Sequence, residues 1–471
     1  MDNMNVYVDE NSRRHYATSE LSRGGQGIVL RTTDPEIVIK LELDPFTYEI
    51  IDGNNSASNR KYKNLRLLPI HASENVHITL PVATLKDNPG YIMRLLNDML
   101  PFEKAFDLHG AEPVTNEWLD SISAYSPECA ETFGKYIATG GARRRLNAYM
   151  KAATYLTKLH SHGLVYCDIS LKNMFISSGL DSLNVWLIDA DNINYQKMTL
   201  KSSFFTPPFG APELWRGGGC TFYSDCYALA VSLFWDVTGN HPFKGSLTDE
   251  LSEESDFADE GVEVAYSGDY PWIGDKTDSR NATDAQMIPY ETIFDNKMLD
   301  LFQAMFSKAG REARETRPTM FQIADRLAHA VDERIKCPTC EMDHNYFDND
   351  FCPWCNMRYT PVLTANTFYL TGGSKGERLW QFAENADEGA RIAIPKRIVS
   401  GAATIDIDNT AFEVIIGVNG RHTIKNLGEF SSIKLMGGDE LVGSHEVSDN
   451  SFSLIIKDSN NISKIVEFEV N

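Results

Sequence analysis

Cysteine is scarce in this chain: 8 in 471 residues, too few to staple a protein of this length with disulfides. Positive charge is in deficit. Lys and Arg number 44 against 66 Asp and Glu, a formal net charge of −22. A field of that sign repels phosphate backbones and anionic lipid, so neither nucleic acid nor a membrane is expected among the partners. Long apolar runs are missing; none approaches the ~20 residues that a bilayer-spanning helix needs. The opening MDNMNVYVDE is acidic and lacks the basic-then-apolar pattern of a secretory signal. There is no repeat of 20–50 residues. These absences lead to the expectation of a cytoplasmic chain of several domains.

Five stretches differ in texture. Residues 1–15 read as a tail. Residues 16–97 read as short strands (LSRGGQGIVLRT, EIVIKLEL, HITLPVAT, GYIMRLL), with a turn at Asp34-Pro35 and a helix from Ser56 to Leu68 that stops before Pro69. Residues 98–335 read as helical: Leu146, Tyr149, Met150, Ala153, Leu156 and Leu159 recur at helical spacing, and Gly163 closes the run. Between Asp249 and Glu263 there are many acids and no base, which reads as a solvated loop or insertion. Residues 336–358 hold four of the cysteines. Residues 359–471 return to short strands between Gly, Asn, Asp and Ser, the texture of an all-β sandwich or barrel.

Several residues carry phosphate chemistry. Ser22-Arg23-Gly24-Gly25-Gln26-Gly27-Ile28-Val29 joins two strand-like segments, and glycines let a backbone approach a triphosphate closely. Lys40 ends the apolar run Ile37-Val38-Ile39, where its ammonium could reach phosphates beneath that loop. Asp168 and Asn173 lie five apart in a short loop between a helix and a strand. Such a carboxylate can take a hydroxyl proton, and such an amide oxygen can bind a metal. Asp189 follows the buried-type strand Val185-Trp186-Leu187-Ile188, a natural place for a Mg²⁺ ligand.

In order and spacing this set resembles the eukaryotic-type protein kinase superfamily, in its bacterial serine/threonine form. Ser22-x-Gly24-x-x-Gly27-x-Val29 matches the glycine-rich loop, and Ile37-Val38-Ile39-Lys40 matches V-A-I-K. Tyr166-Cys167-Asp168 through Asn173 matches H-R-D-L-x-x-x-N, Asp189-Ala190-Asp191 matches D-F-G, and Ala211-Pro212-Glu213 matches A-P-E. Asp225 stands where the superfamily anchors its catalytic loop. Arg317 stands where it pairs the Glu of A-P-E.

The resemblance covers residues 16–335 and implies an α+β, bilobal fold. It also implies a protein kinase that transfers the γ-phosphoryl of Mg-ATP to a serine or threonine hydroxyl of a protein substrate. ATP would lie against Ser22, Gly24, Gly25 and Gly27. Val29 and Val38 would roof the adenine, Met93 would be the gatekeeper, and backbone groups of Arg94 and Leu96 would bond the base. Lys40 would hold the α/β-phosphates, Asp168 would accept the hydroxyl proton, and Asn173 and Asp189 would hold Mg²⁺. The order of kinase, cysteine cluster and β region further resembles bacterial stress or signalling kinases. Those are found beside von Willebrand A-type proteins and metal-dependent phosphatases, which the resemblance makes expected partners.

The sequence departs from the pattern in places. Tyr-Cys replaces His-Arg before Asp168, Ser170 stands where many relatives carry a lysine, and Ala190 replaces the Phe of D-F-G. The family pairs its lysine with a helical Glu, yet Ser56 to Leu68 contains no acid. Glu49 is the nearest candidate partner for Lys40. These departures keep a second reading open: a pseudokinase, or nucleotide-binding scaffold, completed by partner proteins.

Cys337-x-x-Cys340 and Cys352-x-x-Cys355 are two pairs 11 residues apart. Each pair can present two thiolates from a tight turn, so together they make a closed tetrahedral Cys₄ site for Zn²⁺, resembling a zinc ribbon with a structural role. His344, with four cysteines available, is expected at the surface. The β region offers no chemistry and reads as a docking module.

Overall fold

The structure, a computed structural model, describes residues 5–25, 27–53, 56–70, 75–199, 205–254, 260–358, 361–403, 407–428, 430, 432–438, 440–441, 443–457 and 462–471. The N-terminal lobe is built on strands β1 (Val6–Val8), β2 (Arg14–Arg23), β3 (Gly27–Thr32), β4 (Ile37–Glu42), β5 (Ala83–Thr84) and β6 (Gly90–Arg94), with helix α1 (Ser56–Arg66) between β4 and β5. They form one antiparallel sheet in the order β1-β2-β3-β4-β6-β5. Residues 5–15, read from the sequence as a tail, thus supply an edge strand of this sheet.

Alternation sorts the two faces. Ile28, Leu30, Ile39, Leu41 and Ile92 pack into a small apolar cluster on one face. On the other face, register aligns Val29 with Lys40 and Lys40 with Tyr91, while Val38 pairs with Met93. Residues that chemistry needs together are therefore neighbours across three strands. Helix α1 carries no acid, and its buried side chains are Tyr62 and Leu65.

The larger lobe begins with β7 (Met99–Pro101), α2 (Phe102–Ala105), α3 (Glu117–Ser123), α4 (Pro127–Ala138) and α5 (Gly141–Ser161). Short strands β8 (Leu164–Val165), β9 (Met174–Ser177), β10 (Val185–Leu187) and β11 (Asn194–Tyr195) follow, in sheets ordered β10-β9-β7 and β11-β8. Then come α6 (Pro212–Trp215), α7 (Phe222–Thr238), α8 (Ser246–Glu254), α9 (Glu260–Ser267), α10 (Tyr290–Ile293), α11 (Asn296–Phe306), α12 (Lys308–Glu312) and α13 (Met320–Asp332). α5, α7 and α13 form the centre, with Leu146, Tyr149, Leu156, Leu229, Phe234 and Leu327 fully buried. Arg145 is buried among them, and among the described residues no carboxylate makes an ion pair with it. Its guanidinium donates instead to the carbonyls of Asp236 (2.8 Å), Gly141 (2.9 Å) and Phe106 (3.1 Å) and to Thr139 Oγ1 (2.8 Å), which satisfies a charge that burial would otherwise penalise heavily.

The acid-rich stretch is not a simple loop. Helices α8 and α9 flank residues 255–259, which lie outside the described residues. Glu is a good helix former, and Thr248 and Ala265 are buried, so side-chain packing decided here against a reading based on charge alone.

Strands β12 (Arg334–Lys336) and β13 (Asp343–Asn345) pair across the start of the cysteine cluster. The C-terminal region holds two antiparallel sheets. One is ordered β15-β14-β22-β21-β19 and the other β16-β17-β18-β20. The strands are β14 (Val362–Thr371), β15 (Ser374–Asn385), β16 (Arg391–Pro395), β17 (Thr410–Ile415), β18 (His422–Asn426), β19 (Ser432–Leu435), β20 (Ser444–Val447), β21 (Ser451–Lys457) and β22 (Ser463–Val470), with one short helix, α14 (Lys396–Ser400). Phe412 of one sheet meets Phe468 of the other edge-on, centroids 6.4 Å apart, so the two inner faces share a core. No helix among the described residues is long and apolar enough to cross a membrane.

Candidate active site

A cleft of about 450 Å³ lies between the lobes, lined by Ser22, Gly24, Gly25 and Gly27 above and by Asp168, Asn173 and Asp189 below. Val29, Lys40 and Met93 also line it. Gly27 is needed there for space: a Cβ on it would sit 2.8 Å from the carbonyl oxygen of Leu41. Sequence reasoning did not single out Phe175 or Ile188, which also line the cleft. Phe175 lies two residues after Asn173, on the short strand β9, and that spacing was the available signal. Val38 is buried but is not among the residues lining the cleft. Arg94 and Leu96 line a separate groove beside it, where the Arg94 guanidinium lies over the Trp186 ring, 5.6 Å from its centroid.

The lower half is held by a chain of bonds to α7. Asp225 accepts from the backbone N–H groups of Tyr166 (2.7 Å) and Cys167 (3.0 Å), and it bonds His160 Nε2 (3.0 Å). This grip keeps Cys167 in the left-handed region at φ +74°, a conformation that costs a non-glycine residue energy. The Tyr166 hydroxyl, in place of the family's histidine, donates to the carbonyl of Ile188. Asp189 is also left-handed, at φ +59°. At the far edge, Arg317 makes a two-pronged pair with Glu213 at 2.8 and 2.7 Å.

Asn173 Nδ2 donates to the Asp168 carbonyl (2.9 Å) and carboxylate (3.1 Å). The other oxygen of Asp168 accepts from the Thr206 hydroxyl at 2.7 Å. Burial raises the Asp168 pKa above the ordinary carboxylate value; the Thr206 bond opposes this and the nearby Asp189 adds to it. A carboxylate so placed can accept a proton from a hydroxyl.

Lys40 Nζ bonds Asp189 and lies 2.8 Å from Asp191 Oδ2. Burial disfavours its ammonium, but the charges of Asp191 and Asp189 more than offset this and hold its pKa above the usual lysine value. Among the described residues Glu49 makes no ion pair with Lys40. It lies exposed in the segment after β4, where its carbonyl accepts from Asp44 N–H at 2.9 Å. Proximity in sequence does not carry it to the cleft.

The four clustered cysteines meet in space. Their sulfurs all lie within 4.8 Å of one another, and Cys337–Cys355 and Cys340–Cys352 are each 3.6 Å apart. A tetrahedral zinc with bonds of ~2.3 Å requires sulfur–sulfur edges of ~3.8 Å, so the cluster fits the ion.

The two turns share one backbone pattern. Cys337 N–H donates to Met342 and Glu341 N–H to Cys337; Cys352 N–H donates to Met357 and Asn356 N–H to Cys352. Glu341 and Asn356 both sit at φ near +60°. His344, expected at the surface, is fully buried on β13, and burial lowers its pKa to about 4.

Bilobal fold, glycine hairpin and converging carboxylates are the features that a protein kinase domain combines. Comparison agrees: residues 135–327 match the protein kinase domain family. That stretch contains Asp168, Asn173, Asp189, Glu213, Asp225 and Arg317; the glycine loop and Lys40 precede it and stand on the geometry above. The relatives are serine/threonine kinases. Over 110 residues, 23% of this chain, it is 33% identical to the DNA damage-responsive serine/threonine-protein kinase RqkA of Deinococcus radiodurans, of which the match covers 16%. Over 90 residues, 18% of this chain, it is 33% identical to the probable serine/threonine-protein kinase PknB of Lactococcus lactis, covering 14% of that protein. Over 95 residues, 19% of this chain, it is 35% identical to the serine/threonine-protein kinase RUNKEL of Arabidopsis thaliana, covering 7% of it. The chain thus spans only a small part of the curated relatives it matches.

Proposed function

We propose that this chain is an ATP-dependent serine/threonine protein kinase that transfers the γ-phosphoryl group of Mg-ATP to a protein hydroxyl. The observation that carries the reading is the convergence of Lys40, Asp168, Asn173 and Asp189 on one cleft beneath a glycine hairpin. Lys40 would hold phosphate oxygens. Asn173 and Asp189 would hold Mg²⁺, which neutralises charge developing on the transferred group. Asp168 would take the proton of the attacking hydroxyl. Its bond from Thr206 supports this, because a threonine hydroxyl already donates to the oxygen that a substrate hydroxyl would use. Arg94 and Leu96 remain the proposed adenine partners through their backbone.

The kinase domain, cysteine cluster and C-terminal β domain fill residues 16–335, 336–358 and 359–471 in this reading, with residues 5–15 added to the first by the β1–β2 pairing and with Zn²⁺ as a structural ion on Cys337, Cys340, Cys352 and Cys355. A bacterial stress or signalling setting in the cytoplasm, with a von Willebrand A-type protein and a metal-dependent phosphatase as partners, is supported by family resemblance.

The alternative, a nucleotide-binding scaffold without catalysis, draws on Ser170 standing where many serine/threonine kinases carry a lysine. Phosphate incorporation from Mg-ATP separates the two. Asp168→Asn is expected to lower it by at least about 10²-fold while the melting temperature holds. Equal incorporation by both chains would overturn the enzyme reading.

A further inference from the structure

We propose that Asp191 is the carboxylate that positions Lys40 for the nucleotide phosphates, in place of a carboxylate on helix α1. The proposal rests on the nucleotide-binding reading above and deepens it.

Helix α1 has no acid to offer. Its polar side chains are turned to another use: Ser58 Oγ donates to Glu42 Oε2 at 2.9 Å, and the Tyr62 hydroxyl donates to Glu42 Oε1. These bonds fasten the helix to the end of β4, and among the described residues no α1 side chain makes an ion pair with Lys40. Asp191 reaches the lysine from the other side. The backbone turns sharply at Asp189 and forms a single helical turn over Ala190–Asn192. That turn returns Asp191 to the sheet, buried, with Oδ2 2.8 Å from Lys40 Nζ.

Its other oxygen accepts from the Tyr91 hydroxyl at 2.8 Å. Tyr91 is the cross-strand neighbour of Lys40 on β6, so the sheet that carries the lysine also aims its carboxylate. Asp189 and Asp191 divide the work. Asp189 lines the open cleft, where a cation would draw on it. Asp191, tied to Tyr91, keeps hold of Lys40 when that happens. A glycine, the family's residue at this place, could do neither.

Because the aligning group arrives with the Asp189 turn, α1 need supply no carboxylate; it meets the arrangement through Tyr62, whose ring lies 4.6 Å from that of Tyr91. Displacing a phosphate-binding group by about 1 Å can cost ~10²-fold.

The test is Mg-ATP affinity of the full chain by titration calorimetry, together with KM and kcat for ATP. Asp191→Asn is expected to weaken Mg-ATP binding tenfold or more and to raise KM more than it lowers kcat. Affinity for adenosine, which has no phosphates, should stay within twofold. Tyr91→Phe, which frees Asp191 while keeping the ring, should move Mg-ATP affinity in the same direction and serves if Asp191→Asn fails to fold. Ser58→Ala should leave Mg-ATP affinity within twofold.

Wild-type-like Mg-ATP affinity in Asp191→Asn, or an equal loss for adenosine, would overturn the proposal. A wild-type chain that binds no Mg-ATP would overturn it together with the reading beneath it. If the wild-type chain binds Mg-ATP but incorporates no phosphate, the kinase reading falls alone, and Asp191 still stands if its affinity loss is seen.

Discussion

Asp236 illustrates how a single side chain couples stability to pH. It lies half-buried on α7, at the foot of a groove that also meets Ser170, Leu171 and Lys172 of the loop between Asp168 and Asn173. Burial pushes its pKa up to about 7, against the opposing bond from the Tyr149 hydroxyl at 2.6 Å. Between pH 4 and 7 the folded chain therefore keeps a proton that the unfolded chain has released, so this group makes folding less favourable as pH rises through that window. Asp236→Asn should gain stability relative to wild type as pH increases from 4 to 7, and no further above it. Urea midpoints of both chains across that range check the sign; a constant difference would refute it. At this scale much was legible. Lys40, Asp168, Asn173 and Asp189 could be picked out because each sits in, just after or close to a short apolar strand, where chemistry and local structure agree. Asp191 could not, because its partner is chosen by a backbone turn and a cross-strand tyrosine, which sequence spacing does not encode.

Elements were legible where one local signal dominated. Pro69 put the end of α1 within two residues of Arg66, where it stops, and Asp34-Pro35 marked the β3–β4 turn. The stretch around α8 and α9 was misread because charge suggested solvent while helix propensity and packing favoured helices. The cysteine turns are the clearest case of agreement, since two identical spacings fold into two identical hydrogen-bonding patterns. Purified protein is expected to carry about one zinc per chain. Removing the ion by chelation should lower the melting temperature of the whole chain, because β13 beside the cluster also caps a central helix. Asp343 accepts from the Arg143 N–H at 3.1 Å in the first turn of α5 and from Arg334 at 2.8 Å. Metal analysis and thermal unfolding of the same sample test both statements, and a metal-free chain of undiminished stability would contradict them.

In the whole molecule, the C-terminal sheets are bolted to the larger lobe. Asp332, at the end of α13, accepts from Arg397 at 2.6 and 2.8 Å and from the Trp380 indole at 2.9 Å, with all three side chains buried. His329 stacks on the Trp380 ring at 3.8 Å. Arg143 pairs with Glu384, and Lys151 pairs with Asp408. Asp332→Ala would strand a buried guanidinium and should cost about 3–5 kcal/mol, measured by urea unfolding. A loss under about 1 kcal/mol would mean that the two parts are only loosely joined. None of this docking was legible in the sequence, since each partner lies 48 to 257 residues from its mate and the charged ones read alone as ordinary surface charges. Helix α5 ties these parts to the chemistry. Its first turn is clasped by Asp343 and Glu384, and near its last turn His160 holds Asp225, which grips the backbone just before Asp168. Twenty-one residues at about 1.5 Å each make a strut of roughly 30 Å. A strut fixed at both ends neither stretches nor shortens, so a push on the C-terminal sheets that travels along it reaches the Asp168 loop as a tilt or roll of that rod.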